Sequence, residues 1–240
     1  MRFLLLLPLL AAAAVAAQPA PPAGPFLRQW AAEVRAALES VEAVTYRERF
    51  WQEVDGPFAT RSLGTESVVT RRPGSDPQRR LLRAEVEGRP VPPPTLLRTE
   101  RRLRRALGAD YRLVRRALEL PLEAFRLFEP TGPLVPTTLD GRPAWRLDAV
   151  ARDSDLPVER AALWFAPEPR RPTLLRSRVV LSGRAGTSAV VETAYDAAGG
   201  LPLLRRRTVE ARLQQRRRIR TFTVLVTAEV TVDQVEIERR

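Results

Sequence analysis

Apolar and polar residues alternate through residues 139–181, with turn residues between the alternating runs, which predicts an antiparallel meander. Its first run, 144–152, puts Trp145, Leu147 and Ala149 on one face and Arg146 and Asp148 on the other. The second, 159–165, separates Ala161, Leu163 and Phe165 from Arg160 and Trp164. The third, 173–181, separates Leu175, Val179 and Leu181 from Arg176 and Arg178. Such a sheet has one greasy face and one arginine-rich face, and what the greasy face touches is the functional question.

The same period of two recurs elsewhere. Upstream it marks 44–54, 60–71 and 81–87, with breakers at Asp55-Gly56-Pro57 and at 73–77. Residues 134–139 lead through Asp140-Gly141 into the meander as a hairpin would. Downstream come 188–195, 203–213 and a final run in which Phe222, Val224, Val226, Ala228, Val230 and Val232 face one way, with Leu225 the one exception. The total is about ten strands with no internal repeat.

Two regions follow a helical period instead. Phe26, Trp30, Val34 and Leu38 recur every four residues and predict an amphipathic helix over 26–39, packed on a sheet. After Pro92-Pro93-Pro94 a second helical segment aligns Leu96, Leu103 and Leu107 until Gly108 stops it. Asp110 can cap a third, with Tyr111, Val114 and Leu118 on one stripe, ended by Pro121. Residues 122–128 read equally as a short strand or a helical turn.

Composition narrows the function. Residues 1–17 match a signal peptide: Arg2, an apolar run, then Val15-Ala16-Ala17 before Gln18, with cleavage near Ala17. An Ala/Pro linker, 18–25, and one domain, 26–240, would follow, in the periplasm if the signal acts. Net charge is +12, and all 40 basic residues are arginine. Eight of them fall between Arg98 and Arg116. Export argues against nucleic acid and leaves anionic membrane headgroups or an acidic envelope protein as partners for that charge; a plain solvated helix face is the simpler meaning.

With neither histidine nor cysteine, the chain has no Ser-His-Asp triad, Cys-His pair, thiolate metal site or disulfide framework. Asp148, Asp153, Asp155 and Glu159 are close enough in sequence to raise a hydrolytic carboxylate pair, but they read as the polar face and turn of a hairpin. The glycines fit turns better than a phosphate cradle. No enzyme and no cofactor is expected.

The runs LDGRPAWRLDAV, VERAALWFAPEPRRPTLLRSRVVL and YDAAGGLPLLRRRTVEA, placed after an amphipathic helix, a first meander and a helical interruption, resemble the periplasmic outer-membrane lipoprotein-sorting family, the lipoprotein carriers and their relatives. The resemblance spans about residues 26–238 and implies an α+β, mainly β fold: an unclosed antiparallel β-barrel with an N-terminal helix and a central helical lid. It implies binding of lipid or lipoprotein acyl chains in an apolar cavity, or an envelope sensor of the same fold that carries no cargo. On that reading Trp145, Leu147, Leu163, Phe165, Val179, Leu181, Phe222, Val224 and Val226 line the cavity. Leu103, Leu107, Val114 and Leu118 close it, and Arg101, Arg105, Arg112 and Arg116 stand at its mouth. No lid-locking arginine can be matched to a position.

Overall fold

Each of the ten alternating runs is a strand in the computed structural model, which describes residues 20–57, 59–120, 125, 127–151, 158–168, 172–183, 186–198, 201–217 and 220–239. The strands are β1 (Val41–Gly56), β2 (Ala59–Arg71), β3 (Gln78–Val86), β4 (Arg89–Pro90), β5 (Phe128–Pro130) and β6 (Val135–Leu139). They continue with β7 (Arg142–Ala151), β8 (Val158–Phe165), β9 (Leu174–Ser182), β10 (Ser188–Ala198), β11 (Leu201–Arg217) and β12 (Arg220–Arg239). Two very short strands, β4 and β5, make up the difference from ten to twelve. They are too brief to leave an alternation.

All twelve lie in one antiparallel sheet, ordered β4-β3-β2-β1-β12-β11-β10-β9-β8-β7-β5, with β6 also on β7. The last strand pairs with the first, so β12 closes the two meanders into one sheet, while β4 and β5/β6 remain unpaired with each other. This is the expected unclosed half-barrel. The β6–β7 turn is the two-residue Asp140-Gly141, both at positive φ (51° and 77°), the geometry that suits the twist of a tight hairpin.

Three helices cover one face: α1 (Ala23–Glu39), α2 (Pro93–Leu107) and α3 (Tyr111–Leu118). Helix α1 begins three residues inside the expected linker. Pro25 lies in its first turn, where backbone N–H groups have no intrahelical acceptor, so a proline costs nothing there, and Phe26 N–H already donates to Pro22 O at 3.1 Å. Gly108, at φ 56°, ends α2. Asp110 precedes α3 but its side chain makes no capping bond.

Two register details depart from simple alternation. A bulge between Trp164 and Phe165 sets Phe165 opposite Leu174, so Leu174 takes the core position expected for Leu175. In α3 the buried stripe is Leu113, Val114 and Ala117; Tyr111 and Leu118 lie at its margins, half-buried. Among the described residues no helix is long and apolar enough to cross a membrane. Residues 1–17, with the signal-peptide reading, lie outside the described residues, as do most of 121–126, the Gly199-Gly200 turn, Asp153 and Asp155.

Candidate functional site

The helix-covered face of the sheet changes chemistry along its width. Over β7–β12 it is mainly apolar, interrupted by buried Ser177, Thr193 and Arg207: Trp145, Leu147, Leu163, Phe165 and Val179 have no exposed surface, and Leu181, Val226 and Val224 have 1%, 1% and 6%. Phe222, at the start of β12, is half-buried. The face thus gathers eight of the nine expected wall residues into one core. Over β1–β3 the same face is mixed: Glu48, Gln52 and Ser67 are buried beside Val54, Leu63 and Val69, and Glu48 is bound to Arg79 at 2.5 Å.

Helix α1 fills the apolar half. Phe26 meets Trp145 and Phe165 edge-on, at centroid distances of 5.7 and 5.0 Å, and Trp30 packs on Phe165 and Phe125 at 5.7 and 6.0 Å. These are the preferred edge-to-face and tilted geometries of aromatic pairs. A side chain with no exposed surface leaves no room for a water-sized sphere beside it, so in this conformation helix side chains occupy the space against the central wall. Within that packing Trp145 Nε1–H finds no acceptor among the described residues. An indole N–H held dry without a partner costs about 1–3 kcal/mol.

Helices α2 and α3 form the rest of the cover. Leu103, Leu107 and Val114 are buried as expected, joined by Leu96, Leu113 and Ala117. α2 reaches β3, α3 lies on β10 and β11, and α1 touches β11 and β5, so the helices span the trough from one limb of the sheet to the other.

The polar ties of this cover come from β11. Gln215 Nε2 donates to Ala106 O at 2.9 Å. Arg207 is 8% exposed and reaches inward: Nε donates to Thr193 Oγ1 (3.1 Å), and its two terminal nitrogens donate to Leu118 O (2.6 Å) and Leu120 O (2.9 Å). The cation thus lies at the C-terminal end of α3, where helix carbonyls lack acceptable partners and positive charge is favoured. Burial pulls the Arg207 guanidinium below its ordinary value, opposed by Tyr195 beside it. Burial likewise raises Tyr195, with Arg207 acting against it. Arg207 is the arginine that sequence reasoning missed. Its signal was present, because Leu213, Ala211, Val209 and residue 207 share one face of β11, but the triple run Arg205-Arg206-Arg207 reads as a single solvated patch. A bulge at Ala194/Tyr195 divides it: Arg205 and Arg206 face solvent, near Asp196 and bonded to Glu229.

The outer surface of the cover carries the charge. All eight arginines of α2 and α3 are exposed, including Arg101, Arg105, Arg112 and Arg116. Among the described residues at least ten arginines on the sheet and its turns take part in ion pairs, whereas Arg115, bonded to Glu119 at 2.9 Å, is the one arginine of these two helices that does so. Arg104 lies instead over the Tyr111 ring, at 5.3 Å. Of the acids weighed for hydrolysis, the two among the described residues have separate partners: Asp148 pairs with Arg146, and Glu159 accepts from Ser182, both exposed to solvent.

No protein-family model matches the chain, and no curated protein matches it in sequence. Among solved structures it is similar to a DUF1329 family protein from Desulfovibrio piger, at 10% identity and TM-score 0.43, over 90% of this chain and 93% of that one. It is similar to a LolA superfamily protein from Nitrosomonas europaea at 10% identity and TM-score 0.37, over 92% and 96%. A domain from Vibrio parahaemolyticus titled as outer membrane lipoprotein-sorting aligns at 9% identity and TM-score 0.40, over 90% and 93%.

Proposed function

We propose that this protein is a periplasmic binder of acyl chains, from lipid or lipoprotein, that takes its ligand between the sheet and the helices. The observation that carries the reading is the nature of the cover: an apolar sheet face closed by helices, two of which are tied to it through Arg207 and Gln215, rather than by a second sheet. Displacing α2 and α3 would expose Leu96, Leu103, Leu107, Leu113 and Val114, at about 1.5–3 kcal/mol each, or about 8–15 kcal/mol in all. A sixteen-carbon chain returns about 0.8 kcal/mol per buried CH₂, about 12 kcal/mol. The two magnitudes are close enough for cargo to exchange with the cover, and the opening cost is large enough to keep the cover shut without it. A lipid carbonyl or ester reaching the floor would also give Trp145 Nε1–H its acceptor. The unpaired arginines on the outside of the same helices fit an anionic headgroup surface, which would hold the mouth near the source of the ligand.

Native mass spectrometry of protein isolated from a periplasmic extract, followed by titration with a fluorescent fatty acid, tests this reading. Bound lipid, or saturable uptake, is the expected result; a ligand-free protein that takes up no fatty acid overturns it. The dry packing of the wall favours a second reading, a sensor or scaffold with a solid core that docks an acidic envelope protein. Charge reversal at Arg205 and Arg206 that releases a co-purifying protein while leaving lipid uptake intact would decide for it.

A further inference from the structure

A shallow cleft of about 420 Å³ opens on the other face of the sheet, away from the helices. At its centre Trp51 of β1 is 38% exposed, opposite Gly64 of β2 and Glu229 of β12. The glycine matters because of what its missing side chain leaves bare. A Cβ at residue 64 would come within 2.8 Å of Glu85 Oε1, so the Glu85 carboxylate lies across the glycine and no cross-strand side chain at that position shields the indole.

The surrounding charges are fixed and balanced. Arg47 and Arg49 both bind Glu66, Arg49 also reaches Asp233 at 3.3 Å, Arg83 lies 3.6 Å from Glu85, and Arg206 holds Glu229 at 2.8 Å. Four guanidiniums meet four carboxylates, so this surface is neutral in a chain whose net charge is +12. The arginines hydrogen-bond Glu66 at Oε1 and Glu229 at Oε2. Neither Glu66 Oε2 nor Glu229 Oε1 accepts a hydrogen bond among the described residues, so each keeps acceptor capacity beside an exposed ring.

That combination selects a ligand class. Local neutrality gives no preference for an anion or a cation, and the charged rim disfavours a purely apolar guest. An extended peptide has no strand edge to join at Trp51, because β1, β2 and β12 are each paired on both sides there, and the open edge of β3 beside the cleft carries Arg79, Arg80 and Arg83. What fits is a molecule with C–H faces to lie on the indole and hydroxyl edges to donate to carboxylates. We infer that the cleft binds a neutral saccharide, with Trp51 under one ring and Glu66 and Glu229 accepting its hydroxyl protons. Its volume falls in the ordinary range of small-molecule sites, about 300–1,000 Å³. The site lies on the face opposite the acyl-chain site and does not depend on it.

The test uses the indole N–H resonances of the whole protein, with Trp51 assigned by Trp51→Phe, titrated with cellotriose, maltotriose and triacetylchitotriose to about 10 mM, near the weakest affinity of interest. At least one sugar is expected to shift the Trp51 resonance saturably. Followed through backbone amide shifts of β1 and β2, Trp51→Ala should weaken its binding about tenfold, the equivalent of one stacking contact, and Glu66→Gln should weaken it while leaving the fold intact. Gly64→Ser, which fills the cleft and displaces Glu85, should abolish the shift. The inference is overturned if no sugar moves Trp51, if the shifts fall on Trp30, Trp145 or Trp164 instead, or if a charged hexapeptide moves Trp51 and the sugars do not.

Discussion

Replacing Arg207 with Gln removes the charge that holds the C-terminal end of α3, and its consequences can be worked from the three bonds it makes. Hydrogen bonds to a charged group contribute about 1.5–3 kcal/mol each, so Thr193, Leu118 O and Leu120 O together represent about 5–9 kcal/mol. Against this stands the cost of keeping a guanidinium dry, several kcal/mol, which the substitution relieves. The net loss is about 2–4 kcal/mol, or roughly 4–16 °C in melting temperature at about 2–4 °C per kcal/mol for a domain this size. The location of the loss discriminates more sharply than its size. Hydrogen exchange should accelerate first in α2 and α3, with β7–β9 still protected, and uptake of a fluorescent fatty acid should become faster. Arg207→Lys keeps the charge but not the fork that spans two carbonyls, and should fall between. Equal acceleration in the helices and the β7–β9 wall would refute the reasoning, because Arg207 would then be an ordinary core residue and not a local tie.

Leu163→Ala, at the centre of the apolar wall, should cost about 2–5 kcal/mol, read as a lower urea midpoint at unchanged slope; a loss below about 1 kcal/mol would mean that the wall is not packed as described. Reversing Arg101, Arg105, Arg112 and Arg116 to Glu should leave the melting temperature nearly unchanged, each exposed site contributing within about 0.5 kcal/mol, while abolishing sedimentation with anionic vesicles; retained sedimentation would remove the membrane role given to these helices. Burial raises Tyr195, Tyr46 and Tyr111 above 10.0, so the fold favours their protonated forms. Their contribution is therefore intact below pH 10 and lost as pH rises through the folded values, and Tyr195→Phe should flatten the fall in stability measured from about pH 8 to about pH 11. An unchanged slope would place the alkaline loss elsewhere.

The strands were legible because the sheet has one wet face and one dry one, and a period of two survives wherever that holds. Trp145, Leu147, Leu163 and Phe165 could be assigned to one surface for this reason alone. Leu175 failed where a bulge adds a residue, because periodicity carries no record of register between strands. Helix α3 failed by a partial rotation: Leu113 and Ala117 fit a helical stripe as well as Tyr111 and Leu118 do, and only packing on β10 and β11 chooses between them. The cleft at Trp51 was invisible for a different reason. It depends on Glu85, Gly64 and Glu229 meeting Trp51 across four neighbouring strands, and Gly64 alone reads as a weak point in a strand.

A sheet that does not close has two ends, and each end is a template on which another chain could grow. The outer edge of β3 is open from Gln78 to Arg83, since β4 pairs only at Glu85 and Val86, and it offers Arg79, Arg80 and Arg83 to any approaching strand. At the other end β5 and β6 share the rim of β7, and each carries a proline, Pro130 and Pro136, as β4 carries Pro90. A missing N–H at each rim and repelling cations along β3 interrupt the ladder a neighbour would need. The sheet can therefore stay unclosed without the molecules polymerising through their rims, a condition that a closed barrel never has to meet.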